Sequence, residues 1–158
     1  MTPLTLALYQ PDIPQNAGTM LRMCACLGME AAIIGPAGFP ATDAAFRRAG
    51  MDYLDHVVIR RHASFDAFQS WRGAAALEGE RRRLVLLSTR AETSYLRCNF
   101  ESGDILLVGR ESAGVPDEVF AAADLSVKIP MQPHARSLNV AASAAMVAGE
   151  ALRQLARF

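Results

Sequence analysis

The sequence predicts an α/β protein, with a mainly parallel sheet carrying helices on both faces. Two observations lead there. Short, continuous apolar runs alternate along the chain with longer helical segments, and these runs lack the polar alternation of a half-exposed strand. Such runs suit strands buried on both faces. The 158 residues, 51% hydrophobic and 20% charged, have a globular composition and the length of one domain with a sizeable core. No internal repeat or low-complexity linker interrupts them, so residues 1–158 are read as one domain.

In order, Leu4 to Tyr9 is a strand, and the loop Gln10 to Gly18 follows, with Pro11 and Pro14 blocking regular structure. Thr19 to Leu27 is helical, with Gly28 a suitable stop. Ala31 to Ile34 is a strand ended by Gly35-Pro36, and Asp43 to Ala49 a short helix ended by Gly50. Val57 to Ile59 suits a strand, and Ser64 can cap a helix to about Trp71. Strands are expected at Leu84 to Ser88, Ile105 to Val108 and Leu125 to Ile129, the last two separated by a helix near Asp117 to Ala122. A long helix, about Leu138 to Ala156, closes the chain. It is rich in alanine, and its first half should be buried on every side.

Bulk properties exclude several classes. No apolar run approaches the roughly 18 residues of a membrane span. Met1 to Tyr9 lacks the basic start and cleavage site of a signal peptide, so no membrane role and a cytoplasmic location are expected. Cys24, Cys26 and Cys98 have no framework spacing, and Cys24 and Cys26 are read as buried thiols. No His, Cys or Asp cluster has metal-ligand spacing; His56, His62 and His134 are scattered and read as surface residues. Formal net charge is zero, but all 16 basic residues except Lys128 are arginine, clustered at 47–48, 60–61 and 81–83. Arginine forks match phosphate oxygens; ordinary solvated faces are the alternative.

Ligands of open α/β sheets bind beyond the carboxyl ends of strands. Three loops at such ends hold the unusual residues. The first, 11–18, carries Asn16 and leads to Arg22, and lacks the G-x-G-x-x-G of a dinucleotide-binding turn. A nicotinamide oxidoreductase is therefore disfavoured. The second, Gly109 to Pro116, puts Arg110 and Glu111 between glycines that allow close backbone approach to a ligand. The third runs from Ile129 to Asn139, beside the start of the last helix, where free amides can face a ligand. Asn139 suits either a polar site or a helix cap.

Together YQPDIPQNAGTMLR (9–22), RRAGMDY (47–53), GRESAGVP (109–116) and IPMQPHARSLNV (129–140) resemble the SPOUT superfamily of knotted methyltransferases. They are most similar to the tRNA (cytidine/uridine-34)-2′-O-methyltransferases, which modify the wobble nucleotide of leucine tRNAs. The resemblance spans nearly the whole chain. It implies a C-terminal deep trefoil knot that forms an S-adenosylmethionine site, with S-adenosylhomocysteine as product and no metal. It also implies a homodimer, with the first and last helices at the interface and each active site completed by both subunits. The partner is the tRNA anticodon stem-loop. Carried over, Leu87, Gly109, Ile129, Met131, Ser137 and Leu138 bind the cofactor, and Arg22, Asn16, Glu111, Ser137 and Asn139 form the catalytic set. Two departures stand out: Gly149 and Leu152 replace a Tyr and a Trp of familiar members, and Arg110 stands where proline is common.

The implied reaction moves a methyl from a sulfonium to a ribose 2′-hydroxyl by in-line displacement. Guanidinium groups hold their proton at physiological pH, so Arg22 is expected to orient the hydroxyl and stabilise developing charge while a substrate phosphate or water takes the proton. Arg47, Arg48, Arg60 and Arg61 are the candidates for anticodon-loop phosphates, contacts that position RNA without reading its sequence. Another tRNA position, a ribosomal RNA, or a non-catalytic RNA-binding homologue are the alternatives.

Overall fold

Seven strands in the order β3-β2-β1-β6-β4-β7-β5 form one sheet, and every neighbouring pair is parallel. The computed structural model describes residues 2–157. The strands are β1 Thr5–Tyr9, β2 Glu30–Ile34, β3 Ile59–His62, β4 Leu84–Leu87, β5 Thr93–Ser94, β6 Ile105–Val108 and β7 Leu125–Lys128. The helices are α1 Pro14–Leu27, α2 Asp43–Arg48, α3 Phe65–Leu77, α4 Asp117–Ala122 and α5 Val140–Gln154.

Strand residues alternate between two cores. From β1, Leu6 and Leu8 join a core with Leu21 of α1 and Val147 of α5, while Ala7 and Tyr9 join one with Phe68 of α3 and Val119 of α4. Both faces of the central strands are thereby dry, which is why their sequences are continuously apolar. α5 packs against α1 and reaches β6.

Several expectations are corrected. α1 begins at Pro14, inside the expected loop; proline suits the first helical turn, where its missing N–H has no intrahelical partner anyway. β3 lies over Ile59–His62 instead of Val57 to Ile59, because an edge strand pairing only with β2 tolerates Arg60 and Arg61. α3 continues six residues past Trp71 to Leu77, carried by Ala74 to Ala76. α5 starts at Val140, and its first half is not buried all round: Ala142, Ala145 and Met146 are exposed. The two-residue β5 is too short for any pattern to reveal. Cys24 and Cys98 are buried, but Cys26 is exposed. Burial pushes the Cys24 thiol up to about 12, so it stays protonated. His62 is half-buried, edge-on to Phe68 at 5.4 Å between centroids, so it is not a surface residue.

Candidate active site

The carboxyl ends of β4, β6 and β7 meet the first turns of α1 and α5 around a cleft of about 510 Å³. That volume suits a small-molecule ligand. The cleft is lined by nine of the ten residues assigned to the site from sequence: Leu87, Gly109, Ile129, Met131, Ser137 and Leu138, with Asn16, Glu111 and Asn139. Apolar side chains form much of its wall, and Ser88, Thr89 and Ser137 supply hydroxyls.

Each wall has a local cause. β6 ends at Gly109, whose backbone lies against Gly114; a Cβ at 109 would come within 2.6 Å of the Gly114 carbonyl carbon. Arg110 and Gly114 exchange backbone hydrogen bonds of 2.8 and 2.9 Å, closing the loop, and Gly114 completes it at φ 63°. Asn139 is the N-cap of α5: its Oδ1 accepts from the Ala141 and Ala142 amides, at 2.8 and 3.2 Å. Its Nδ2 donates to Asn16 Oδ1 at 3.1 Å, tying the starts of α5 and α1 together across the cleft. Asn139 therefore caps the helix and lines the site at once.

The 109–114 loop is also fastened to the end of β1. The Asp12 amide donates to Glu111 Oε2 at 3.3 Å, and the Glu111 amide donates to Asp12 Oδ1 at 3.2 Å. The Ser112 hydroxyl donates to Asp12 as well. Hydrogen bonds from Glu111 and Ser112 hold the Asp12 carboxyl at about 2. Burial, then the hydrogen bond to Asp12, raises Glu111. Sequence analysis did not select Asp12, although it lies four residues before Asn16 in the first loop. It also missed the 88–90 segment after β4, where the rule that ligands bind at strand carboxyl ends could have found it.

Arg22 is the exception among the assigned residues. It does not line the cleft. Its side chain is 65% exposed, with Nη1 3.9 Å from Asp52 and the guanidinium 5.5 Å from the centre of the Tyr53 ring. The Tyr53 hydroxyl donates to the Gly18 carbonyl at 2.7 Å, so the 51–53 segment is docked on α1 beneath Arg22.

The proposed phosphate-binding arginines also lie apart from the cleft. Arg47 pairs with Asp55 at 3.0 Å, Arg60 with Glu30 at 3.4 Å and Arg61 with Asp43 at 2.6 Å. Arg60 also stacks on Trp71, 5.4 Å from the ring centre. Among the described residues Arg48 is exposed and forms no ion pair, and no group of three or more His, Cys, Asp or Glu is gathered for a metal ion.

Residues 3–149 match the model of the SpoU rRNA Methylase family. The chain belongs to this family. A tRNA (cytidine(34)-2'-O)-methyltransferase of Beijerinckia indica is 65% identical over 150 residues, covering 95% of this chain and 91% of that one. The Escherichia coli protein of the same name is 37% identical over 155 residues, covering 96% and 94%. A solved structure concerning 2-OH methylation of C/U34 on tRNA superposes with a TM-score of 0.87 at 42% identity, covering 98% and 97%. The SpoU methyltransferase AviRb from Streptomyces viridochromogenes, in complex with the cofactor AdoMet, superposes with a TM-score of 0.88 at 27% identity, covering 98% of this chain and 58% of that one. The cleft fits such a cofactor: its volume is right, Gly109 gives backbone access, and the buried Oε1 of Glu111 has no hydrogen-bond partner.

Proposed function

We propose that this SpoU-family protein is a tRNA (cytidine/uridine-34)-2′-O-methyltransferase that uses S-adenosylmethionine and acts on the wobble nucleotide of leucine tRNAs. The single observation that carries the assignment is the convergence of nine assigned residues, from three loops distant in sequence, on one ligand-sized cleft. Relatives named tRNA (cytidine(34)-2'-O)-methyltransferase, 65% and 37% identical over nearly their whole length, support nucleotide 34 of tRNA as the target.

In this reading the bound cofactor supplies an activated methyl group on a sulfonium centre. Leu87, Ile129, Met131 and Leu138 enclose its base, Gly109 and Ser137 meet it through backbone and hydroxyl, and Glu111 borders its polar end. Asn16 and Asn139 hold the cleft mouth where the ribose enters. Arg22, which is turned away from the cleft of its own chain, serves a second subunit: the chain works as a homodimer. The exposed Ala142 and Ala145 of α5 support that contact, since small side chains let helices approach closely, and the exposed Met146 beside them offers an apolar side chain to bury. α5 returns past β4 to pack on α1 and β6, which supports a knotted C-terminal segment within a single domain. Arg48 is the best-placed phosphate contact, because Arg47, Arg60 and Arg61 already have carboxylate partners. The substrate places the enzyme in the cytoplasm.

The test is methyl transfer from labelled S-adenosylmethionine to total tRNA from a strain lacking the enzyme, with mapping of the product. A 2′-O-methyl mark at the first anticodon position of leucine tRNAs is expected. A mark at another position, or on ribosomal RNA, overturns the substrate; no transfer to any RNA overturns the enzyme.

A further inference from the structure

We propose that Asp12 is a positioning residue of the cofactor cleft: it latches the 109–114 loop to the end of β1 through hydrogen bonds crossed with Glu111, and so holds the Glu111 carboxyl at the cleft border. The inference rests on the reading of the cleft as a cofactor site.

The geometry carries it. Each of the two residues donates its backbone amide to the other's carboxyl group, at 3.3 and 3.2 Å, so the side chains are crossed. Two carboxylates held this close do not both ionise readily. The surroundings decide which one keeps the proton. Asp12 accepts from the Ser112 hydroxyl, and Arg110 Nη2 stands 3.6 Å from its Oδ2. Both stabilise a charged Asp12. Arg110 is itself steadied by Gln10, whose Oε1 accepts from Nη1 at 3.4 Å. Among the described residues Glu111 has no cationic partner, and its Oε1 is buried without a hydrogen bond. The charged groups on the other walls are Arg90, paired with Asp117 at 3.0 Å, and Lys128; Asn16 and Asn139 face the cleft as neutral groups.

Of the two, Glu111 is the one that keeps its proton to higher pH. Glu111 borders the cleft with its buried Oε1 unpaired, and Asp12 carries the charge that Ser112 and Arg110 stabilise. The sign of the pH dependence follows. Glu111, raised by burial and by Asp12, favours the folded loop at low pH and loses that contribution as pH rises through its raised value. Asp12, held at about 2, contributes above the ordinary aspartate value of about 4 and loses its contribution only as pH falls toward about 2. Rising pH is thus the side on which the latch loosens.

The experiment compares the full-length wild type with Asp12→Asn, Glu111→Gln and the double variant. Two quantities are read: the Kd for S-adenosylhomocysteine by calorimetry, and melting of the unliganded protein from about pH 4, near the ordinary glutamate value, up to about pH 9. Asp12→Asn is expected to weaken binding about tenfold in the wild-type background and less than about threefold in the Glu111→Gln background, because glutamine permanently mimics the protonated acid. Glu111→Gln should flatten the decline in melting temperature with rising pH, and Asp12→Asn should move that decline to lower pH. Equal losses from Asp12→Asn in both backgrounds, or a decline with pH unaltered by both single variants, overturn the proposal. If the wild type itself does not bind the probe, the cofactor reading fails, and the melting profiles still judge the latch.

Discussion

The cleft and the outer faces of α1 and α5 are built in opposite ways. Around the cleft one chain supplies every wall: the 109–114 loop is crossed with Asp12, and Asn139 ties the starts of two helices together. On the outer faces Arg22 leans on Tyr53 and Asp52, and Ala142, Ala145 and Met146 stand in solvent. The first region is finished within one chain, and the second is the face that the proposed homodimer would cover. A small-molecule cofactor can be enclosed by loops of one subunit, whereas an extended RNA substrate needs a wider surface, which a second copy can provide.

Breaking the two regions separately sharpens this contrast. The largest effect is expected from Arg22→Ala, with turnover falling by about 10²–10³ as for loss of a charge-stabilising donor, while calorimetry shows S-adenosylhomocysteine bound as in the wild type. Lost cofactor binding would instead make Arg22 structural. Gly109→Ala strikes the other region: the added Cβ meets the Gly114 backbone at 2.6 Å, so the loop must shift. Overpacking of this kind costs about 1–3 kcal/mol, and a fall in both thermal stability and cofactor affinity is expected. If α5 forms the proposed dimer contact, Met146→Glu, at a side chain 42% exposed in the single chain, should give a folded monomer by analytical ultracentrifugation, with methyl transfer lost because Arg22 of a second subunit is then missing. A variant that stays dimeric would locate the interface elsewhere. The smallest change is Asn139→Ala, which removes the α5 cap at a cost of about 1 kcal/mol. Asn139→Asp keeps the cap but cannot donate to Asn16, so comparing their melting temperatures separates the capping role from the cross-cleft tie.

The Tyr–Trp departure has a local explanation. Leu152 is 3% exposed and belongs to the chain's own core, and Gly149 is half-buried, so neither projects from the outer face as a large aromatic would. Met146, one turn earlier, is the large side chain this helix presents.

What was legible in the sequence depended on the range of the interactions involved. β6 and α4 were expected with their observed bounds, because a short apolar run after Gly103-Asp104 and an acidic first turn after Pro116 are local signals. The glycines and polar residues of the loops likewise pointed to a ligand site. β3 was misplaced because its pairing with β2, and not its own polarity, makes Arg60 and Arg61 part of a strand.

By itself the sequence determined the fold class, the three loops and the identity of their chemical groups, since periodicity, turn chemistry and loop composition act over a few residues. Tertiary structure alone decided which groups meet. The strand order brings β6 between β1 and β4, so loops 10–12 and 109–114, about a hundred residues apart, cross and exchange hydrogen bonds. It also turned Arg22 away from the cleft it was expected to serve, because a residue six places after Asn16 on a helix points to a different side.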